Sequence, residues 1–467
     1  MSKYKKLIKD TFIFALGSIG SKAIVFFLVP LYTNVLTSEQ YGTADLVLTF
    51  SQLLMPLVCL AVYNAIIRFG LANKDNPENT LLVGLIIWLS GCLVLFLCLP
   101  VVSLYKPIAP WKWYLYLHVS SSILFVIAQN YLKVKNQNLK YSIVSILQIV
   151  MLAGLNILLL VVYKVGIKGY LLSNVFASFG AAIIAVLIGG IISDVRKARF
   201  DKGLLIQMIK YSSPLILNNI AWWVIQSSDK IMIEAYVGTT ALGLYTVATR
   251  IPSLINVIIS VFQEAWNISS IVEMDSSNDS DFYSNVFQLY TVVVFFACIG
   301  INAIVKPFMK IYVGEDFYEA WKFVPLLVVS AAAFSAVAAF YGSMYGALKK
   351  SLSNMFSTLI AALVNIVMNY FLIHYIGVLG AVLGTLISYL VLEIVRMIDV
   401  GQYVKIRIDY KIYVINCILL IVDAVFITYD ICIYIVSIIV MIIFLIINRK
   451  AIKVYWNKSI DMVKKRE

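Results

Sequence analysis

The sequence predicts an all-α polytopic membrane protein of about fourteen transmembrane helices: two six-helix lobes in a V around a central cavity, plus two C-terminal helices. Three observations carry that expectation. Hydrophobic residues make up 62% of the chain and charged ones 13%, at a mean hydropathy of +0.92, so lipid solvates much of the apolar surface. Apolar runs long enough to cross about 30 Å of hydrocarbon recur from end to end. The same pattern of runs is also written twice.

In chain order the runs lie near 11–36, 44–69, 79–104, 111–133, 141–163 and 166–193, forming an N-terminal lobe over 1–193. The stretch 194–212, with Arg196, Lys197, Arg199, Lys202 and Lys210, is expected to be a basic cytoplasmic link between lobes. A second lobe over 213–401 holds runs near 213–236, 240–268, 282–305, 323–347, 354–375 and 378–400. Two shorter runs, near 412–429 and 431–448, fall within 402–448 and have no counterpart in either repeat. The remainder, 449–467, reads as a basic cytoplasmic tail. No run alternates as a barrel strand does, so helices are the expected spanners.

The duplication rests on two echoes. Gln40-Tyr41-Gly42-Thr43-Ala44 opens the second run and Ala241-Leu242-Gly243-Leu244-Tyr245 the eighth, with the glycines 201 residues apart. Val165-Gly166-Ile167-Lys168-Gly169 returns as Ile376-Gly377-Val378-Leu379-Gly380 at an offset of 211, each after a run carrying an asparagine, Asn156 or Asn369. Two similar halves are a common way to build a transporter that opens alternately to either side of a membrane.

Charge supplies the orientation. Of 37 Lys and Arg residues, 25 fall on one side of this topology, seven on the other and five inside runs, which places both termini in the cytoplasm of a cell-membrane protein. The segment 268–282 departs from that bias, with Glu273, Asp275, Asp279 and Asp281 and no base. The net charge of +13 is scattered over short loops, so no nucleic-acid partner is expected. The first run is too long for a signal peptide and lacks a cleavage site, so it reads as an uncleaved span. All six cysteines lie in runs without metal-ligand spacing, and no nucleotide or catalytic-triad motif occurs. Neither a cofactor nor an enzyme is implied.

A charge near the bilayer centre costs roughly 2.5–3.5 kcal/mol on insertion scales and calls for a wet cavity or a partner. Lys22 and Arg250 lie midway along the first and eighth runs. Lys22 shares a helical face with Ala15, Ser18, Val29 and Thr33, and Arg250 shares one with Thr246, Ser253, Val257 and Glu264. Both faces resemble a cavity wall; the two cations either bind an anionic group there or pair with carboxylates to pin helices. Arg68, at the cytoplasmic end of the second run, either joins that cavity or snorkels to headgroups. Asp229 and Lys230 point about 100° apart on a helix and need separate partners, structural or substrate. Glu264 is the acid expected to serve ion coupling. Glu393, Arg396 and Asp399, three residues apart, are expected to form a self-satisfying ladder, while Asp423 has no evident partner. Pro30 and Pro252 suit bends near the two midplane cations, and Gly380-x-x-x-Gly384 suits close helix packing. At the 201 offset Lys22 matches Trp223 and Arg250 matches Thr49, so the scaffold repeats and the cations do not.

Several segments resemble the polysaccharide (oligosaccharide) flippases of the multidrug/oligosaccharidyl-lipid/polysaccharide exporter superfamily. They are Ser228-Asp229-Lys230-Ile231-Met232-Ile233, Leu242-Gly243-Leu244-Tyr245-Thr246-Val247-Ala248 and Gly346-Ala347-Leu348-Lys349-Lys350. Asn365, Asn369 and Tyr375-Ile376-Gly377-Val378-Leu379-Gly380-Ala381 follow, and Leu16-Gly17-Ser18 and Leu31-Tyr32-Thr33 through Tyr41-Gly42 precede. The resemblance runs across nearly the whole chain; each motif is loose, and their order and spacing carry it. It implies a flippase for sugar repeat units carried on undecaprenyl pyrophosphate, serving cell-surface polysaccharide synthesis. Its partners would be that lipid-linked oligosaccharide, membrane lipids, and the polymerase and glycosyltransferases of the same pathway. Related lipid II flippases meet the pyrophosphate with cations of their first, second and eighth spans, places that Lys22, Arg68 and Arg250 fill here.

Two other readings stay open on the residues alone. A cation-coupled drug exporter of the same superfamily would use twelve spans and cavity acids. A membrane-embedded polysaccharide polymerase would need a large outer loop with clustered carboxylates or Arg, and the longest outer loop, about 306–322, is short. The topology is checked by cysteine labelling after replacing the six native cysteines. Lys164→Cys should react with an impermeant maleimide in intact cells, and Lys197→Cys only after permeabilisation. The reverse pattern inverts the assignment.

Overall fold

The computed structural model describes residues 24, 26–72, 76–276, 280–348 and 350–464, and every regular element among them is helical. The chain is a multi-pass membrane protein. It divides into two compact units, Met1–Ile231 and Met232–Glu467.

The first unit comprises α1 (Phe26–Val35), α2 (Ser38–Val58), α3 (Val62–Ala72), α4 (Pro77–Val102), α5 (Lys112–Val134), α6 (Asn138–Asn156), α7 (Ile167–Gly189), α8 (Ile191–Lys197) and most of α9 (Lys202–Tyr236). Thr37 starts α2 with a reciprocal capping box: its hydroxyl accepts from Gln40 N at 3.2 Å and its own N–H donates to the Gln40 side chain at 3.3 Å. The second apolar run is continuous in sequence, yet α2 and α3 meet at a 46° bend. Pro56 withholds a backbone donor there, and Leu60 and Ala61 turn the chain with φ of 51° and 50°. At its far end α6 loosens into a π turn, Ile157–Val162.

Loops that the sequence assigns to one side do meet within this unit. Lys135 reaches Asp194 at 2.7 Å and the Gly189 carbonyl at 2.8 Å, and Lys140 donates to Ile188 O at 2.7 Å. Both cations thereby sit at the carbonyl end of α7, where the helix dipole favours positive charge. Arg199 N donates to Asn79 Oδ1 at 2.8 Å, bringing in the loop before α4. The stretch 194–212, expected as a link, is largely helical, with α8 and the start of α9 separated by residues 198–201.

The second unit continues from the end of α9 through α10 (Thr239–Ala248), α11 (Arg250–Ser276), α12 (Ser280–Tyr312) and 3-10 turns at Glu315–Lys322. Next come α13 (Val324–Val328), a π turn at Val329–Phe334 and α14 (Ser335–Ala347). The chain then forms α15 (Ser351–Ile376), α16 (Val378–Gly401), α17 (Tyr410–Thr428) and α18 (Ile433–Lys464). The segment expected as a tail is helical to Lys464 as part of α18. At one end Arg407 pairs with Asp281 at 2.8 Å, and Lys350 lies 3.5 Å over the Tyr403 ring. At the other, Lys306 pairs with Asp430 at 2.6 Å and lies 4.7 Å over Trp321. Asp281, in the acidic segment that departs from the charge bias, is thus met by a base from a neighbouring loop.

Among the described residues ten helices, or eleven with the bent α2–α3 pair, are long and apolar enough to cross a membrane. Two further apolar helices, Phe26–Val35 and Ile433–Arg449, are shorter. The 35-residue α9 is not among them, because Asn218, Asn219, Asp229 and Lys230 interrupt its apolar run.

The repeat has a structural counterpart. Gly166 (φ 65°, ψ −143°) and Gly377 (φ 61°, ψ −137°), 211 residues apart, each start a helix in a conformation open only to glycine. Asn156 and Asn369 are both fully buried on the preceding helices. Their partners differ: Asn156 donates to Tyr32 Oη at 3.1 Å, and Asn369 to Asn365 Oδ1 at 3.0 Å. Gly380 and Gly384 let α16 press on α15. A Cβ at Gly380 would lie 2.2 Å from the Leu372 backbone, and one at Gly384 2.1 Å from Asn369 Oδ1.

Two expectations about charge are corrected. Glu393, Arg396 and Asp399 form no ladder. Arg396 turns into α14 and α15, donating to Ala338 O and Asn354 Oδ1 at 2.8 Å, Thr358 Oγ1 at 3.1 Å and Ser357 Oγ at 3.2 Å. Glu393 instead accepts from the Tyr413 hydroxyl on α17. Four fixed acceptors fit the planar guanidinium better than one flexible carboxylate. Asp423, without evident partner in sequence, accepts from Ser437 at 2.8 Å and from Asn302 at 3.3 Å, tying α17 to α18 and α12.

Gly377→Ala should destabilise the protein by about 1–3 kcal/mol through backbone strain. Gly384→Ala should also lower the melting temperature, through the clash with Asn369. Both are read by thermal unfolding in detergent, with Gly401→Ala, whose added Cβ meets nothing within 4 Å, as the neutral control.

Candidate functional site

The N-terminal part of α9 builds the site. Asp201 caps it, accepting from Gly203 N at 2.7 Å and Leu204 N at 3.1 Å. The helix then runs antiparallel to α3 and α2, with a specific contact at each level. Tyr211 meets Phe69 edge-on at 5.7 Å, and Asn219 donates to Tyr63 Oη at 3.1 Å. Trp223 donates to Thr49 O at 3.0 Å, and Lys230 reaches Asp45 at 2.7 Å. Positions 219, 223 and 230 share one helical face, which is why a single surface of α9 carries these contacts. Asn130 on α5 fixes the same bend from behind, donating to Tyr63 O at 3.0 Å.

Lys230 therefore has its partner: Asp45, two turns into α2, which sequence reasoning did not single out. The signal was present, since Asp45 lies inside the second apolar run. The two side chains are 16% and 6% exposed, so the pair is largely withdrawn from solvent. Asp229, 4% exposed, accepts from the Lys230 backbone N–H at 2.8 Å.

Above the Tyr63 contact a cleft of about 700 Å³ opens between α3 and α9. Arg68, Asn64, Asn218 and Asn219 line its polar side, and Ile67, Leu71, Leu215 and Tyr211 its apolar side. Arg68 is exposed, and no ion pair joins it to a carboxylate among the described residues. A guanidinium offers five donors in a planar fork suited to phosphate oxygens. Carboxamides both donate and accept, as sugar hydroxyls require. The cleft thus has the donor set for a phosphorylated, hydroxyl-rich head. Asn64, Asn218 and Asn219 were missed in sequence because neutral asparagines in an apolar run carry no charge or motif spacing to mark them.

The other expected site residues are placed as follows. Lys22 lies outside the described residues. Glu264 is on α11, with its side chain outside the described set. Arg250 is half-buried at the joint of α10 and α11, where Thr249 ends one helix and Pro252 cannot donate in the next. Ser253 Oγ donates to the Arg250 carbonyl at 2.6 Å. On the face expected around Arg250, Thr246 and Val257 are buried and Ser253 is exposed.

A family model described as polysaccharide biosynthesis protein matches residues 7–266. The chain belongs to that family. An uncharacterised membrane protein of Haemophilus influenzae is 24% identical over 279 residues, covering 56% of this chain and 64% of that protein. The chain thus spans just under two thirds of the length of that curated relative. Among solved structures, the lipid II flippase MurJ in an inward closed conformation matches with a TM-score of 0.69 at 13% identity, over 95% of this chain and 100% of that one. An inward-facing multidrug resistance MATE family transporter of the MOP superfamily matches with a TM-score of 0.64 at 12% identity, over 82% and 95%. At such identities the likeness establishes the fold alone, one shared with those two proteins.

A double-mutant cycle tests the Asp45–Lys230 pair. Each of Asp45→Asn and Lys230→Met should cost up to about 3–5 kcal/mol by breaking a largely withdrawn ion pair, and the double variant should recover part of that loss. Additive losses in thermal unfolding would show that the pair contributes nothing.

Proposed function

We propose that the protein is a flippase that moves a lipid-linked oligosaccharide from the cytoplasmic to the outer leaflet, exposing its head to each side of the membrane in turn. The substrate is a sugar repeat unit on undecaprenyl pyrophosphate, destined for cell-surface polysaccharide. The observation that carries this reading is Arg68 beside three asparagines in the α3–α9 cleft, in a chain of the polysaccharide biosynthesis family. The guanidinium takes the pyrophosphate and the carboxamides take sugar hydroxyls, while the polyprenyl tail stays in lipid. Lys22 and Arg250 share in holding the anionic head, and Glu264 takes up the cation or proton that resets the empty carrier.

The same reading gives fourteen membrane crossings, with α1, α9 and α18 added to the eleven apolar spans and both termini in the cytoplasm. It sets 1–193 and 213–401 as lobes joined by 194–212, with 402–448 as additional helices. An inside-negative potential favours export of an anionic head by about 2.3 kcal/mol per charge per 100 mV. Glycosyltransferases that build the unit and a polymerase that consumes it are the expected functional neighbours.

Transport of undecaprenyl-pyrophosphate-linked sugar in proteoliposomes tests the assignment. Arg68→Ala should cut the rate at least tenfold at equal protein level, and Arg68→Lys should retain part of it. Lys22→Ala and Arg250→Ala should each reduce transport, and Glu264→Gln should remove its pH dependence. Wild-type rates in Arg68→Ala would remove the cleft from the mechanism.

A further inference from the structure

The other unit carries a groove of its own, between α16 and α17. The groove encloses about 340 Å³ and is lined by Ile394, Met397, Ile398, Val414, Ile418 and Ile421 around one buried acid, Glu393. Glu393 is 2% exposed. One of its oxygens accepts from the Tyr413 hydroxyl; the other, Oε2, is buried with no hydrogen-bond partner. No base pairs with Glu393 among the described residues. The nearest arginine in sequence, Arg396, is spent on four neutral acceptors on α14 and α15. A carboxylate held in apolar surroundings without a counter-charge is costly, and Glu393 is among the residues that line the groove.

From this arrangement we infer that the α16–α17 groove binds a free amphipathic amine, its ammonium on Glu393 and its apolar body along Ile394, Ile398 and Val414. Those three side chains are half or more exposed, so the groove opens sideways for entry of an apolar molecule. Depth argues against an aminophospholipid headgroup. Glu393 lies eight residues before the end of α16 at Gly401, about 12 Å along the axis at 1.5 Å per residue, below the level of lipid headgroups. A polyprenyl chain fills the apolar volume but leaves Oε2 without a donor. The site is distinct from the α3–α9 cleft and does not depend on the flippase assignment.

The test measures binding of dodecylamine carrying a dansyl group at the chain end opposite its free amine, and of the matched ω-dansyl alcohol, to the full chain in phosphatidylglycerol nanodiscs. The amine should bind at least tenfold more tightly than the alcohol. Glu393→Gln should abolish that preference while leaving alcohol binding in place. Ile394→Trp, which fills the groove from its open side, should weaken both probes and serves if the Glu393 variant does not fold. Equal binding of amine and alcohol to the wild type, an undiminished preference in Glu393→Gln, or unchanged amine affinity in Ile394→Trp would overturn the inference. So would equal competition by phosphatidylethanolamine, because it would place the ammonium at headgroup level.

Discussion

Lipid offers no water to a polar group, so each one carried on a membrane helix must find a partner on a neighbouring helix or face a wet recess. In the first unit that constraint is met most strongly by Asp45 and Lys230, 2.7 Å apart and largely withdrawn from solvent. With that pair made, α9 lies antiparallel to α2 and α3, Trp223 falls opposite the Thr49 carbonyl and Asn219 opposite Tyr63. The bend at Cys59–Ala61 then decides which polar groups remain outside the seam. Arg68, Asn64 and Asn218 are left lining a cleft.

The second unit obeys the same constraint with a different division of charge. Arg396 is surrounded by neutral acceptors and holds α14, α15 and α16 together, while Glu393 faces the opposite way onto α17. Asp423 joins α17 to α12 and α18. Asn416 and Asn448 add a reciprocal amide pair between α17 and α18, at 3.2 and 3.0 Å. The two C-terminal helices are therefore bound into the unit by buried polar contacts, and their charges help hold it together.

Duplication explains the backbone and not the chemistry. Gly166 and Gly377 hold the same unusual conformation because a helix must restart there in both halves. The buried asparagines on the preceding helices take different partners: Asn156 bonds to a tyrosine and Asn369 to a second asparagine. The positions matched to Lys22 and Arg250, Trp223 and Thr49, are bonded to each other through indole and carbonyl. A neutral helix contact thus stands in the repeat where the sequence offers two cations.

The sequence by itself determined what short-range physics controls. Apolar run length gave the helices, glycine chemistry gave the repeat at Gly166 and Gly377, and Gly380-x-x-x-Gly384 gave the close contact of α15 with α16. Lys/Arg placement predicted which loops share an end, and the Lys135–Asp194 and Arg407–Asp281 pairs join loops of the same predicted side. Only the tertiary structure decided which charge meets which. Glu393 and Arg396 are one turn apart and still choose different helices, and Lys230 finds an acid 185 positions away. Helical spacing fixes the direction of a side chain from its own axis. Its partner depends on which helix packs against that face and in what register, and the bend between α2 and α3 set that register for the cleft.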